Sequence, residues 1–322
     1  MNSLCQKFFT AVIVLMTSFI TSAQEKSHYV AITAIVEHPA LDNVRKGVVD
    51  RLTEQGYITG KNLKLQFQSA QGSSANAAQI AKQFVASKPD VIVAIATPSA
   101  QALAATTKTI PIVFTAVTDP IAAKLTRSWQ ATGTNITGVS DALSLDKQVD
   151  LMLMIKPDLK TVGSVYSPSE INSTQTLRQL EPLLQAKGIK LLSASAQRTS
   201  DIPAAARSLK AKADLIYTTT DNNVVSAYEA IAKIANESKI PLIASNPDAV
   251  ARGATVALGM SYYDLGRQAA DIVIRILNGE KAGDIAPQIG NVTELIINKT
   301  AANRQGLALS EEILKSAQHI IE

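Results

Sequence analysis

The sequence holds one cysteine, Cys5, and it stands ahead of the first apolar stretch. Beyond that stretch there is no thiol, which excludes disulfides, zinc-thiolate sites and a cysteine nucleophile together. Histidine is nearly as scarce. His28, His38 and His319 share no spacing that would make a metal site, so neither a metal nor another cofactor is expected. A glycine-rich phosphate loop, a GxGxxG after the first strand-like run and a GxSxG are all missing. The chain is therefore read as a binder rather than an enzyme. Aromatic residues are 4% of the chain and Trp129 is its only tryptophan, which leaves little to stack against sugar faces. The net charge of +4 is small for 322 residues and is not gathered into a basic run, so nucleic acid is not an expected partner.

What the chain does have is apolar substance, 46% of its residues, enough for two ordinary domains with a core each. The first 23 residues, MNSLCQKFFTAVIVLMTSFITSA, put a lysine before an apolar stretch from Phe8 to Ile20 and end on small residues. This pattern predicts a signal peptide cleaved after Ala23. The stretch is short for a membrane span, and no cysteine follows it to carry a lipid anchor. The expected location is a bacterial periplasm.

From His28 onward, strand-length apolar runs alternate with segments of helical period, which predicts parallel sheets built from strand-helix-strand units. A first series runs from HYVAITAIV to IPIVFTA, and a second from LKTVGSVYS to IPLIAS. They match element by element. KPDVIVAIATPSAQAL at 88–103 answers KADLIYTTTDNNVVSA at 212–227, with Thr97 and Asp221 in equivalent places. After the second series, ATVALGMSYYDLGRQAADIVIRILNGE and VTELIINKTAANRQG add further strands and helices, which are expected to return to the first sheet and cross back. The fold class is thus α/β, two similar doubly wound parallel-sheet lobes joined by a multi-strand hinge. Crossings fall near 137–141, 258–260 and 290–294. The domains are 28–140 plus 259–290, and 141–258 plus 291–322.

In open parallel sheets, ligands bind beyond the carboxyl ends of the strands, where helix starts carry unpaired amides. Thr97 reads as an N-cap followed by Pro98 at the first helical position, so the amides and hydroxyls near Thr97 and Ser99 suit a carboxylate. In the second lobe Asp221 caps the matching helix and suits a positive group. Either cap alone could be purely structural; two facing each other across a hinge form a cleft. Other polar strand ends are Glu37 and His38, Thr115 to Asp119, Ser140 with Asp141, Asn172 with Ser173, and Asn246 with Asp248. Glu37 is a candidate amine partner. Asp119, before Pro120, is either a turn former or a ligand contact. Of Tyr262 and Tyr263, one is assigned to the core and the other to covering an apolar ligand.

Taken in order, IVEHPALDNVRKGVVDRLTEQGY, VIVAIATPSAQAL, IPIVFTAVTDPIAAKL, NITGVSD, TTTDNNVVSA and LGMSYYDLGRQAA resemble the ABC transporter substrate-binding family that includes tryptophan- and tyrosine-binding proteins. The resemblance covers nearly all of the chain after the signal segment. It implies a type I periplasmic binding protein fold with three crossings, and delivery of a captured solute to an ABC permease; a monomer is expected. By position it implies a ligand surface of Glu37, His38, Thr97, Ser99, Thr115, Val117, Ser140, Asp141, Asn172, Ser173, Asp221, Asn222 and Asp248. Many relatives carry a lipid-anchoring cysteine and this chain does not. An amino acid, aromatic for preference, is the expected ligand. A receptor of the same fold that reports its ligand to a membrane protein is the alternative role.

Overall fold

The computed structural model describes residues 27–322, so the signal segment called over residues 1–23 lies outside the described residues. The first series comprises β1 (His28–Ala34), α1 (Pro39–Glu54), β2 (Leu63–Ser69), α2 (Ser74–Ser87), β3 (Val91–Ile95), α3 (Thr97–Thr106), β4 (Ile112–Thr115) and β5 (Ile136–Ser140). The second comprises α4 (Leu145–Ile155), β6 (Thr161–Tyr166), α5 (Ile171–Gln185), β7 (Lys190–Ser195), α6 (Ile202–Ser208), β8 (Leu215–Thr218), α7 (Asn222–Ser226), α8 (Tyr228–Ser238), β9 (Leu242–Ala244) and β10 (Val256–Met260). After these come α9 (Tyr262–Leu277), β11 (Gln288–Ile289), β12 (Thr293–Asn298), α10 (Lys299–Arg304), α11 (Glu311–Ser316) and β13 (His319–Ile321).

The strands form two sheets, in the orders β11-β5-β4-β3-β1-β2 and β13-β12-β10-β9-β8-β6-β7. The duplicated part is the same in both: β2-β1-β3-β4-β5 in one sheet and β7-β6-β8-β9-β10 in the other. Every strand pair is parallel except β10 with β12. In each sheet the order reverses beside β1 or β6, and that switch opens a crevice at the strand ends. Alternate residues of β8 serve opposite faces, Ile216 packing into one core cluster and Leu215 with Tyr217 into another. Burial on both faces explains why these strands are continuous apolar runs.

The late helix α9 joins the first lobe. Leu265, Ala269, Ile272 and Val273 lie in the core built on β1 to β4. The approach is close because two glycines meet other backbone: a Cβ on Gly47 of α1 would overlap the Tyr263 carbonyl, and one on Gly266 of α9 would overlap that of Val44. The chain passes between sheets after Ser140, at Ser261 and after Ile289. These passages are tied together, the Gly290 amide donating to the Ser140 carbonyl (2.8 Å) and the Ser261 amide to that of Val292 (3.0 Å).

Two local expectations differ from the structure. The helix expected after the Asp221 cap is two helices, interrupted at Ala227 (φ −108°, ψ 28°), where the Ser226 hydroxyl turns back onto the Asn222 carbonyl (2.7 Å). Thr97 is not the cap of α3. Ala96 holds that position, at φ 74° and ψ 155°, and no side chain caps the helix.

Candidate functional site

The starts of α1, α3, α5 and α7 converge between the lobes. They enclose a cavity of about 10 Å³ whose walls include His38, Thr97, Asp141, Asn172, Thr220 and Asn222, room for about one water molecule. A larger pocket of about 320 Å³ adjoins it on the side of the first crossing and shares Asp141 and Thr220. The small cavity carries the polar chemistry and the larger one the space.

The first lobe presents donors. His38 caps α1, and its Nδ1 accepts from the Leu41 amide (3.4 Å). Burial, and after it the positive charge of Arg252, lowers its pKa to about 4. The imidazole is therefore neutral, and with Nδ1 accepting, its proton sits on Nε2, which has no partner in the protein. The Thr97 hydroxyl is also buried without a partner. Its position follows from the backbone before it. Ala96, and Ala116 (φ 53°) after β4, adopt left-handed φ values that a Cβ disfavours by about 1–3 kcal/mol each, and both line the cavity. The turn at Ala96 makes Thr97 the first residue of α3, so its hydroxyl meets the cavity instead of capping the helix.

The second lobe and the first crossing present acceptors. Glu170, buried just before α5, gathers amides on Oε2: from Asn172 Nδ2 (3.0 Å), Asn222 Nδ2 (2.7 Å) and the Asn222 backbone (3.0 Å). Because a carboxylate only accepts, it turns both amide NH2 groups toward itself. Asn172 Nδ2 also donates to the Thr220 carbonyl (3.0 Å), and Asn172 Oδ1 is left buried and unpartnered. Burial, and next the negative charge of Asp221, pushes the Glu170 carboxyl up. Asp141 receives the Tyr262 hydroxyl on Oδ2 (3.0 Å) and keeps Oδ1 unpartnered. Burial raises its pKa as well. A buried carboxylate with a free oxygen gains most from a cation that also donates hydrogen bonds.

Of the residues named from sequence, His38, Thr97, Asp141, Asn172 and Asn222 come together on the cavity wall. Asp221 does not. Its carboxylate accepts from the Ser167 amide (2.6 Å) and hydroxyl (2.9 Å) and from the Asn223 and Val224 amides (both 3.1 Å), so it is consumed within its own lobe. Glu37 is exposed and accepts from Gln71 (2.8 Å). The Thr115 hydroxyl donates to the Leu265 carbonyl of α9 (3.4 Å), and Val117 is core. The Ser140 hydroxyl shapes the crossing, donating to the Thr118 carbonyl (3.1 Å) and accepting from the Ala142 amide (3.0 Å). Ser173 pairs with Thr219 (2.8 Å). Ser99 is buried in the first turn of α3, off the cavity wall. Asp248 accepts from Asn43 of the first lobe (2.7 Å). A second link across the lobes joins the hydroxyls of Thr118 and Thr220 (2.8 Å). Asp119 holds a turn through the amides of Ile121 (3.1 Å) and Ala122 (2.9 Å).

Sequence reasoning did not reach Glu170, Thr220 or the pairing of Tyr262 with Asp141. Glu170 stands at the N-cap of α5 as His38 does at that of α1, but a carboxylate there answers an imidazole, so the repeat carries no signal for its role. Tyr262 could have been found from its place one residue past a crossing. Among the described residues no group of histidine, cysteine and acidic side chains could hold a metal ion, and no helix is long and apolar enough to cross a membrane.

The model of the family described as ABC transporter substrate binding protein matches residues 29–321. A tyrosine-binding protein of Clostridioides difficile (strain R20291) is 40% identical over 275 residues, 85% of this chain and 80% of the relative. Among solved structures, an ABC domain from Streptococcus pneumonia in complex with L-Trp is 31% identical, covering 92% of this chain and 100% of its own, with a TM-score of 0.88. The ligand-free, open structure of a substrate binding protein with adhesive properties from Clostridium difficile is 36% identical and covers 91% and 99%, yet superposes with a TM-score of only 0.69. The better overlay with the less identical ligand complex agrees with lobes that here touch through Asn43 with Asp248 and Thr118 with Thr220. With a family match over almost its whole described length and the two-lobe architecture to go with it, the chain belongs to the ABC transporter substrate binding proteins.

Proposed function

We propose that this protein captures an amino acid between its lobes outside the cytoplasm and hands it to an ABC permease for import. The observation that carries the reading is the opposed polarity of the interlobe walls. His38 Nε2 and Thr97 Oγ1 are unpartnered donors on one side; Asp141 Oδ1 and Asn172 Oδ1 are unpartnered acceptors on the other. A zwitterion satisfies both, its carboxylate toward the first lobe and its ammonium toward Asp141. The units that close on it are residues 28–140 with 259–290, and 141–258 with 291–322. An aromatic amino acid is the favoured ligand, in line with the tyrosine-binding relative and the L-Trp complex.

Isothermal titration of the purified protein with the common L-amino acids tests this. One ligand per chain is expected. Asp141→Asn should weaken binding about 10- to 100-fold, the loss of a charge-assisted hydrogen bond, with little change in thermal stability. No binding by any amino acid, or full affinity in Asp141→Asn, would overturn the reading.

A further inference from the structure

We propose that the edge of the second lobe farthest from the ligand cleft is a docking surface for an anionic lipid membrane, held there by a row of lysines. Four helices of this lobe, α4, α5, α6 and α8, each lead back to the starting end of a strand, β6, β7, β8 and β9. Those strands are neighbours in the order β9-β8-β6-β7 and run parallel, so their starts share one edge, about 5 Å from strand to strand. Backbone hydrogen bonds keep the starts level. The Lys190 amide donates to the Lys160 carbonyl (2.8 Å), that of Asp214 to Thr161 (2.9 Å) and that of Ile216 to Pro241 (2.9 Å). Lys160, Lys187, Lys190, Lys210, Lys212 and Lys239 stand at these starts, all exposed. They are scattered in the sequence and gathered only by the fold.

The charge of this edge is free to act outward. Among the described residues, none of the six ammonium groups has an ion pair or hydrogen bond within the protein. The acids of the same connections are Asp158, paired with Lys156 (2.8 Å), and Asp214, whose carboxylate accepts from the amides of Lys160 (3.1 Å) and Thr161 (2.8 Å). The buried carboxylates Glu170 and Asp221 lie at the other end of the strands, toward the cleft, so the lobe is polarised along its sheet. Helix ends attract lysines without any partner, and the first lobe shows how many this architecture needs. Its matching connections, before β2, β3 and β4, carry only Lys61, Lys88 and Lys108. Of these, Lys61 has a partner inside the fold and Lys108 donates to the Ala104 carbonyl (2.5 Å). The excess on the second lobe is therefore not demanded by its helices. The row holds lysine rather than arginine and its connections contain no aromatic residue, which suits a diffuse layer of lipid headgroups better than a nucleic acid base or a single clamped phosphate. The cleft opens at the opposite ends of the strands, so an adsorbed molecule keeps it open to solution.

Sedimentation of the purified protein with lipid vesicles tests this. At about 0.05 M salt the protein should pellet with vesicles of phosphatidylcholine containing about one-third phosphatidylglycerol, and should stay in solution with phosphatidylcholine alone; at about 0.5 M salt it should leave both. Lys160→Gln, Lys190→Gln and Lys212→Gln together should lower partition onto the anionic vesicles about 100-fold, or about fivefold for each lysine. Lys82→Gln, Lys88→Gln and Lys281→Gln, which remove the same charge from the first lobe, should leave it within about threefold. All six side chains are exposed, so neither triple variant should shift the melting point. An equal loss in the two variants would assign the adsorption to net charge and overturn the inference. So would binding to phosphatidylcholine alone, or no binding to the anionic vesicles at low salt. Retention on single-stranded DNA by a protein that ignores the vesicles would give the row to nucleic acid and overturn it as well.

Discussion

Asp141 and Asp221 are both buried carboxylates beside the interlobe cavity, and what separates them is how many of their oxygens are already engaged. Asp221 accepts four hydrogen bonds from its own lobe; Asp141 leaves one oxygen without a partner. Asp221→Ala strips the cap from α7 and orphans two groups of Ser167. It should destabilise the protein by about 2–4 kcal/mol in urea titration, with any loss of affinity secondary. A variant of unchanged stability that no longer binds ligand would contradict this. The distinction was not legible in the sequence. Both aspartates stand at strand ends, and only the folded chain brings Ser167, just past β6 and 54 residues earlier, back onto Asp221. Glu170 was missed for a related reason. Its role is to orient Asn172 and Asn222, and a residue that acts by turning others has no motif of its own.

At the level of elements much more could be read. Strands β1, β3, β6 and β8 fall where apolar runs of four to seven residues are bounded by helix starts, and the repeated line at 88–103 and 212–227 marks equivalent strands in two sheets of the same order. Elements escaped where the pattern is weak. The short edge strand β13 has an exposed backbone and side chains. The break at Ala227 is made by a residue that favours helix. The strain at Ala96 is invisible because alanine does not announce a left-handed φ as glycine does. The packing of α1 on α9 was half legible. The amphipathic pattern was plain, but not that Gly47 and Gly266 let the backbones touch. Gly266→Ala should force the helices apart and lower unfolding free energy by about 1–3 kcal/mol, measured by urea denaturation. Because His38 stands at the head of α1, ligand affinity should fall with it, whereas an unaffected protein would mean that the helices separate without strain.

For the molecule as a whole, the relevant equilibrium is between lobes together and lobes apart. His38 belongs to the first lobe, and its pKa of about 4 owes to burial first and then to Arg252 of the second lobe; separating the lobes returns it toward the ordinary 6.5. The closed form therefore binds fewer protons than the open one between these values. Closure of the empty protein is fully supported above about pH 6.5 and is weakened as pH falls toward 4, whereas a ligand carboxylate beside the imidazole opposes that loss. His38→Asn, which can still cap α1 but does not titrate, should lack this component of the pH dependence of ligand-free closure, followed by small-angle scattering. If the ligand-free lobes open equally in both proteins on acidification, the effect lies with another group, such as Asp141.

The late return of α9 has a consequence for how the chain is made. The first lobe's core is laid down in β1 to β5, but the helix that seals it against α1 is separated from them by almost the entire second lobe, and β11 comes later still. A chain emerging from a ribosome in order cannot finish either lobe until its last third has been delivered. The first lobe waits with one flank of its sheet bare. Full stability arrives for both lobes nearly at once, and a nascent chain held in that unfinished condition is one that can still be threaded through a narrow channel.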